Sequence, residues 1–133
     1  MNIGAAARAS GVTAKMIRHY EAIGLLRPAD RRANAYRDYG PRDIHELRFI
    51  RRARRLGFSI PEIGALLALW RDRARPSREV RRIAEAHIGE LEARINEMQA
   101  MAKTLRELVA ACHGDNRPDC PILDDLALGD ASA

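Results

Sequence analysis

Cys112 and Cys120 are the only two cysteines of the chain, and their spacing is its sharpest chemical signal. The segment between them, His113-Gly114-Asp115-Asn116-Arg117-Pro118-Asp119, is made of turn formers and reads as a loop. Pro121 suits the first position of a short helix running to about Leu126, which makes Cys120 its N-cap. The dipole at that end favours a negatively charged group. Two thiolates suit a soft monovalent cation such as Cu(I), which accepts two ligands, whereas structural Zn(II) asks for four and one chain offers no such set. The same pair also suits a reversible disulfide, or two unrelated thiols. His113, adjacent to Cys112, directs its side chain elsewhere and is read as a solvent-facing loop residue. His19, His45 and His87 are scattered, without a partnered nucleophile or a Gly-rich phosphate loop, so an enzyme is not indicated.

Something must carry these thiols, and a continuous helical pattern over about Glu79 to Ala111 precedes them. Ile88, Ile95, Ala102 and Val109 recur at one heptad position, and Ala84, Leu91, Met98, Leu105 and Cys112 at the other. Such a helix spans about 50 Å, more than a small head covers, so the seam predicts a coiled-coil homodimer. The seam residues suit a parallel pair as well. An antiparallel register that sets Ile95 against the Met98 position of a second copy brings Glu85 near Arg106 of that copy, so charge favours it. That register also directs the loop after Cys112 toward Ser77 of the second copy.

The N-terminal half has a different grammar. Ile3 to Ile23 reads as two short helices broken at Ser10-Gly11, with Thr13 capping the second and Ile17 and Tyr20 packing inward. Lys15 and Arg18, three apart, share its outer face, the geometry of a recognition helix. Short extended pieces follow from Leu25 to Tyr39, with Arg31-Arg32 and a hairpin turn at Asn34-Ala35-Tyr36-Arg37, which reads as a wing. Gly40-Pro41 opens a third helix with Ile44, Leu47, Ile50 and Leu56 as its apolar stripe and Gly57 as its stop. Ser59 and Glu62 form a capping box for a fourth.

Charge is divided the same way: residues 1–60 carry a net +8 and residues 61–133 a net −3. A basic head suits a polyanion, because neutralising phosphates releases counterions. No apolar run approaches the length of a membrane span and no secretory signal opens the chain, so the expected location is cytoplasmic, with no membrane partner.

The stretch from Ile17 to Leu26, Ile17-Arg18-His19-Tyr20-Glu21-Ala22-Ile23-Gly24-Leu25-Leu26, with Asn34-Ala35-Tyr36-Arg37-Asp38-Tyr39, resembles the N-terminal signature of the MerR family of transcription regulators. The Phe49–Ile60 run resembles it too, and the long helix with its terminal Cys-x7-Cys-Pro-Ile segment is similar to the copper-efflux regulator (CueR-like) branch. Ala35 stands at a wing-turn position where the family has Gly, and His19 replaces the usual aromatic. The resemblance implies a mainly α fold: winged helix-turn-helix heads joined by an antiparallel coiled coil, with a C-terminal metal-binding loop and short helix. It implies metal ligation by Cys112 and Cys120, one Cu(I), Ag(I) or Au(I) per chain, and selection of monovalent ions by Ser77, where divalent sensors carry Cys. It assigns Lys15, Arg18 and Tyr20 to the recognition helix, Arg31, Asn34, Tyr36 and Arg37 to the wing, and Arg54 to a backbone-contacting helix. It further implies activation by distorting promoter DNA so that RNA polymerase engages, for copper efflux or detoxification genes.

The expected organisation is a DNA-binding head over 1–70, a connector over 71–78, the dimerisation helix over 79–111, the metal loop and short helix over 112–127, and a disordered tail over 128–133. A redox regulator using a Cys112–Cys120 disulfide, or a copper buffer, are the competing readings; the basic head argues against the buffer.

Overall fold

The computed structural model describes residues 1–28, the backbone of 30–31, and residues 37–129. The wing residues Asn34, Ala35 and Tyr36, the side chain of Arg31, and residues 130–133 of the expected tail lie outside the described residues. The fold is mainly helical, and the chain divides into two compact units, Met1–Ala84 and Glu85–Ala133. Among the described residues, no helix is long and apolar enough to cross a membrane.

In the first unit, α1 (Ile3–Ser10) is capped by the Asn2 side chain, which accepts from the Ala5 amide, and ends at Gly11 in the left-handed region (φ 77°). Thr13 then accepts from the Met16 amide and opens α2 (Ala14–Ala22), as its sequence position predicts. Two short strands, β1 (Asp30–Arg31) and β2 (Arg37–Asp38), pair antiparallel with Arg31 opposite Arg37. Gly40 donates its amide to the Asp43 carboxylate (2.9 Å) at the start of α3 (Pro41–Arg55). The reciprocal bonds of Ser59 and Glu62, 2.8 and 3.3 Å, open α4 (Ile60–Arg71).

These helices bury one core, in which Ile17, Leu26, Leu47, Ile50, Ile63 and Leu67 are fully enclosed and Tyr20, Tyr39 and Ile44 nearly so. Leu56, expected on the apolar stripe of α3, is instead half exposed. It sits at the C-cap, where the helix has ended and the chain turns through Gly57 (φ 88°), so the helical period no longer aims it inward.

Glu46 of α3 is buried and takes a bidentate pair from Arg71 of α4, 2.8 Å at each oxygen, while Arg71 also reaches the Leu25 carbonyl (3.4 Å). Hydrogen bonding from Arg71 holds the Glu46 carboxyl below its usual value against the opposing effect of burial. Arg71→Ala leaves a buried acceptor underserved and is expected to cost about 1–3 kcal/mol in thermal or urea unfolding. A depressed carboxylate contributes stability above the unfolded value and loses it as pH falls through the folded one. The gap between wild type and Arg71→Ala should therefore narrow below about pH 4.5; a gap constant between neutral and acid pH would contradict the pairing.

Helix α5 (Ser77–Ala111) begins two residues before the expected Glu79, directly after Pro76. Ile88, Ile95, Met98, Leu105 and Val109 each leave half or more of their surface exposed, and Leu91 and Ala102 are half-buried. His87 is buried on the same helix, with its Nδ1 3.7 Å from the Glu90 carboxylate, whereas His19, His45 and His113 are exposed. The short helix α6 (Pro121–Leu128) runs two residues beyond the expected Leu126, with Pro121 in its first turn and Cys120 as N-cap.

Candidate DNA interface and thiol loop

Lys15 and Arg18 stand exposed on α2, while Tyr20 of the same helix turns into the core. The α2 helix and the C-terminal half of α3 enclose a cleft of about 410 Å³, lined by Thr13, Met16, Tyr20, Arg51, Arg54 and Arg55 among others. Arg54 is the α3 residue that sequence reasoning selected; the structure sets Arg51 and Arg55 beside it. A signal for them was present, since Arg48, Arg51 and Arg55 recur at intervals of three and four. What the spacing does not supply is the α2 side of the cleft, which forms only when the helices pack.

Gly11 forms the turn between α1 and α2 and lines the same cleft. A Cβ added there would lie 2.9 Å from the Arg51 guanidinium, on a backbone with φ of 77° that L-residues rarely adopt. Arg48 donates from Nε (3.1 Å) and from a terminal nitrogen (2.9 Å) to the Ala9 carbonyl at the end of α1, which orients the basic face of α3 against the helix-turn-helix. Arg51, Arg54 and Arg55 are exposed, as are Lys15 and Arg18 on α2, and an array of exposed cations suits phosphate oxygens.

Arg37, expected to serve the wing, also has a partner inside the protein. Its guanidinium donates to the buried Glu21 carboxylate (2.9 Å), which also accepts from the Tyr39 hydroxyl. The Tyr39 phenol is raised above its usual value, first by burial and then by its bond to Glu21. This triad ties β2 to the end of α2.

In the second unit, Cys112 and Cys120 are free and half-buried. The Cys112 amide donates to the Val109 carbonyl (3.1 Å), and the Cys120 carbonyl accepts from the Asp124 amide (3.0 Å), so the backbone of each cysteine is tied to a helix end. Among the described residues, neither belongs to a cluster of three or more metal-ligating side chains. Two thiol donors suit a soft ion of low coordination number. Ser77 stands exposed at the first position of α5, beside Arg73, Val80 and Arg81. A larger cleft, about 820 Å³, opens between Trp70, His45 and Arg75 on the face of α3 that carries Arg42, and contains neither thiol nor any of the DNA-contact candidates.

The model of the MerR HTH family regulatory proteins matches residues 1–69, and that of the MerR DNA-binding region matches residues 44–108. The chain belongs to the MerR family. Its MerR relatives include "Heavy metal-dependent transcription regulator 2" of Rhizobium meliloti, 56% identical over 98% of this chain and 89% of the relative. The regulator CueR of Escherichia coli O6:H1 is 41% identical over 96% of this chain and 94% of its own length. Among solved structures, the MerR-type regulator PbrR691 of Ralstonia metallidurans, crystallised with lead(II), superposes with a TM-score of 0.85 at 29% identity, covering 95% and 98% of the two chains. MerR proteins are DNA-binding transcription regulators, not enzymes, and the mainly helical fold with its N-terminal helix-turn-helix is theirs.

Proposed function

We propose that this chain is a metal-responsive transcription regulator that binds promoter DNA in the cytoplasm as a homodimer. In this reading Cys112 and Cys120 hold one monovalent coinage-metal ion per chain, with Cu(I) as the physiological effector and Ag(I) and Au(I) as chemical equivalents. The observation that carries it is the coexistence, on one chain, of a basic helix-turn-helix head and a loop bounded by two free, half-buried cysteines. The likeness to a heavy-metal-dependent regulator supports metal response, and the likeness to CueR supports copper.

The relative solved with lead(II) shares the fold, so the donor set rather than the architecture selects the ion. Two thiolates and a monovalent ion leave a net charge of −1; a divalent ion would be neutralised but undercoordinated. Ser77 fits this selection, because a hydroxyl there adds no soft third donor.

The chain's own part of the mechanism is conformational. Cys112, just past α5, and Cys120, the N-cap of α6, would hold the cation. Drawing Cys112 and Cys120 together favours one arrangement of the loop and of the helices that carry it. Through α5 that preference reaches the heads, where Lys15, Arg18, Arg31, Asn34, Tyr36, Arg37 and Arg54 hold DNA, and it is delivered as a change in DNA shape that RNA polymerase reads.

Transcription in vitro from the cognate promoter, under reducing conditions with Cu(I), Ag(I), Au(I), Zn(II) and Hg(II), tests the reading. Activation by the three monovalent ions and not by the divalent ones is expected. Activation by Zn(II) alone would remove the monovalent assignment, and activation by oxidant without metal would replace it with a disulfide switch.

A further inference from the structure

The middle of the thiol loop is already folded. Arg117 donates from its amide to Asp115 Oδ1 (2.9 Å), and its guanidinium grips the same carboxylate from Nε (2.8 Å to Oδ2, 3.1 Å to Oδ1) and from a terminal nitrogen (2.8 Å). Gly114, immediately before, supplies a φ of 66°, and Pro118, immediately after, restricts the chain. Both members of the pair are exposed, so the attraction by itself contributes little to global stability. Its place is what matters: it lies midway in sequence between Cys112 and Cys120, which stand at the ends of α5 and α6.

We propose that the Asp115–Arg117 pair is a positioning element for cation capture, holding the loop in a turn before any ion arrives so that less chain must be ordered when the thiols close. This rests on the reading of Cys112 and Cys120 as ligands. A free seven-residue loop loses backbone freedom when its ends are drawn together, and that loss is subtracted from affinity. A turn fixed at three of those residues removes part of the loss in advance. One carboxylate carries both the amide bond and the guanidinium bonds, so substitutions separate them. Asp115→Ala removes both; Arg117→Ala keeps the amide bond; Asp115→Asn keeps an acceptor for the amide and weakens only the charged contact.

The test measures Cu(I) affinity of the full-length protein by competition with a chelator, together with hydrogen exchange of the residue 117 amide in the metal-free protein. Asp115→Ala is expected to lower affinity about five- to tenfold and Arg117→Ala about two- to threefold, with Asp115→Asn recovering most of the Asp115→Ala loss. Exchange at the 117 amide should accelerate in the same order, and acceleration in Asp115→Ala accompanied by unchanged affinity would overturn the proposal. So would wild-type exchange in Asp115→Ala, because the turn would then not depend on the carboxylate. Cys112→Ser and Cys120→Ser run in parallel: if both keep wild-type affinity the ligand reading falls, whereas if they lose it and Asp115→Ala does not, only the positioning role falls.

Discussion

Ile95→Glu, or Leu91→Glu, is expected to convert the protein to monomers and abolish operator binding. Ile95 lies at the centre of the heptad seam with half of its surface exposed in the single chain, alongside the similarly exposed Ile88 and Met98. In the proposed antiparallel pair that surface is covered by a second copy, and each dimer would have to bury two carboxylates among apolar side chains. Desolvating an unpaired ion costs several kcal/mol, so dimer affinity should fall by about a thousandfold or more. Each head alone offers only half of the phosphate contacts, and operator affinity falls with them. Light scattering at micromolar concentration and gel-shift titration read the two effects. An intact dimer that still holds DNA would show that this face of α5 is not the seam. Circular dichroism guards against simple unfolding, since the core of the first unit lies elsewhere in the chain and should keep its helices.

The second large effect belongs to the thiols. Cys112→Ser and Cys120→Ser should each eliminate Cu(I)-dependent transcription while leaving metal-free operator affinity within about twofold of wild type, because neither residue lies in the basic head. Serine is nearly isosteric but a hard, neutral donor. Its substitution removes one of two ligands outright, which should lower Cu(I) affinity by more than the roughly 100-fold that changes in an outer shell of a metal site produce. Normal Cu(I) activation in both variants would sink the site. Loss of operator binding without metal would instead place the loop in the folding of the DNA-binding form.

How much of this was legible in the sequence divides by the range of the interaction. Thr13, the Ser59–Glu62 box and the glycine at position 57 act within one helical turn, so residue type and spacing sufficed to find the ends of α2, α3 and α4. The apolar period sufficed for Ile17, Ile44, Leu47 and Ile50, because burial follows the face of a helix once its phase is known. It misled at Leu56, where the helix stops and phase loses its meaning. The MerR signature and the two cysteines were likewise legible as residue types in order.

Only tertiary structure decided which charges face inward. Glu21 meets Arg37 and Tyr39 across 16 and 18 residues, and Glu46 meets Arg71 across 25. No local rule distinguishes those two arginines from Arg51 or Arg55, which line the cleft beside α2. An arginine carries the same charge wherever it sits; whether it holds a buried carboxylate or waits for a phosphate depends on which helix packs against it, and that packing is set by the core as a whole. The sequence alone therefore determined that the chain has a basic head, a heptad helix and a two-thiol loop. The packed fold determined which cations hold the head together and which remain available to DNA.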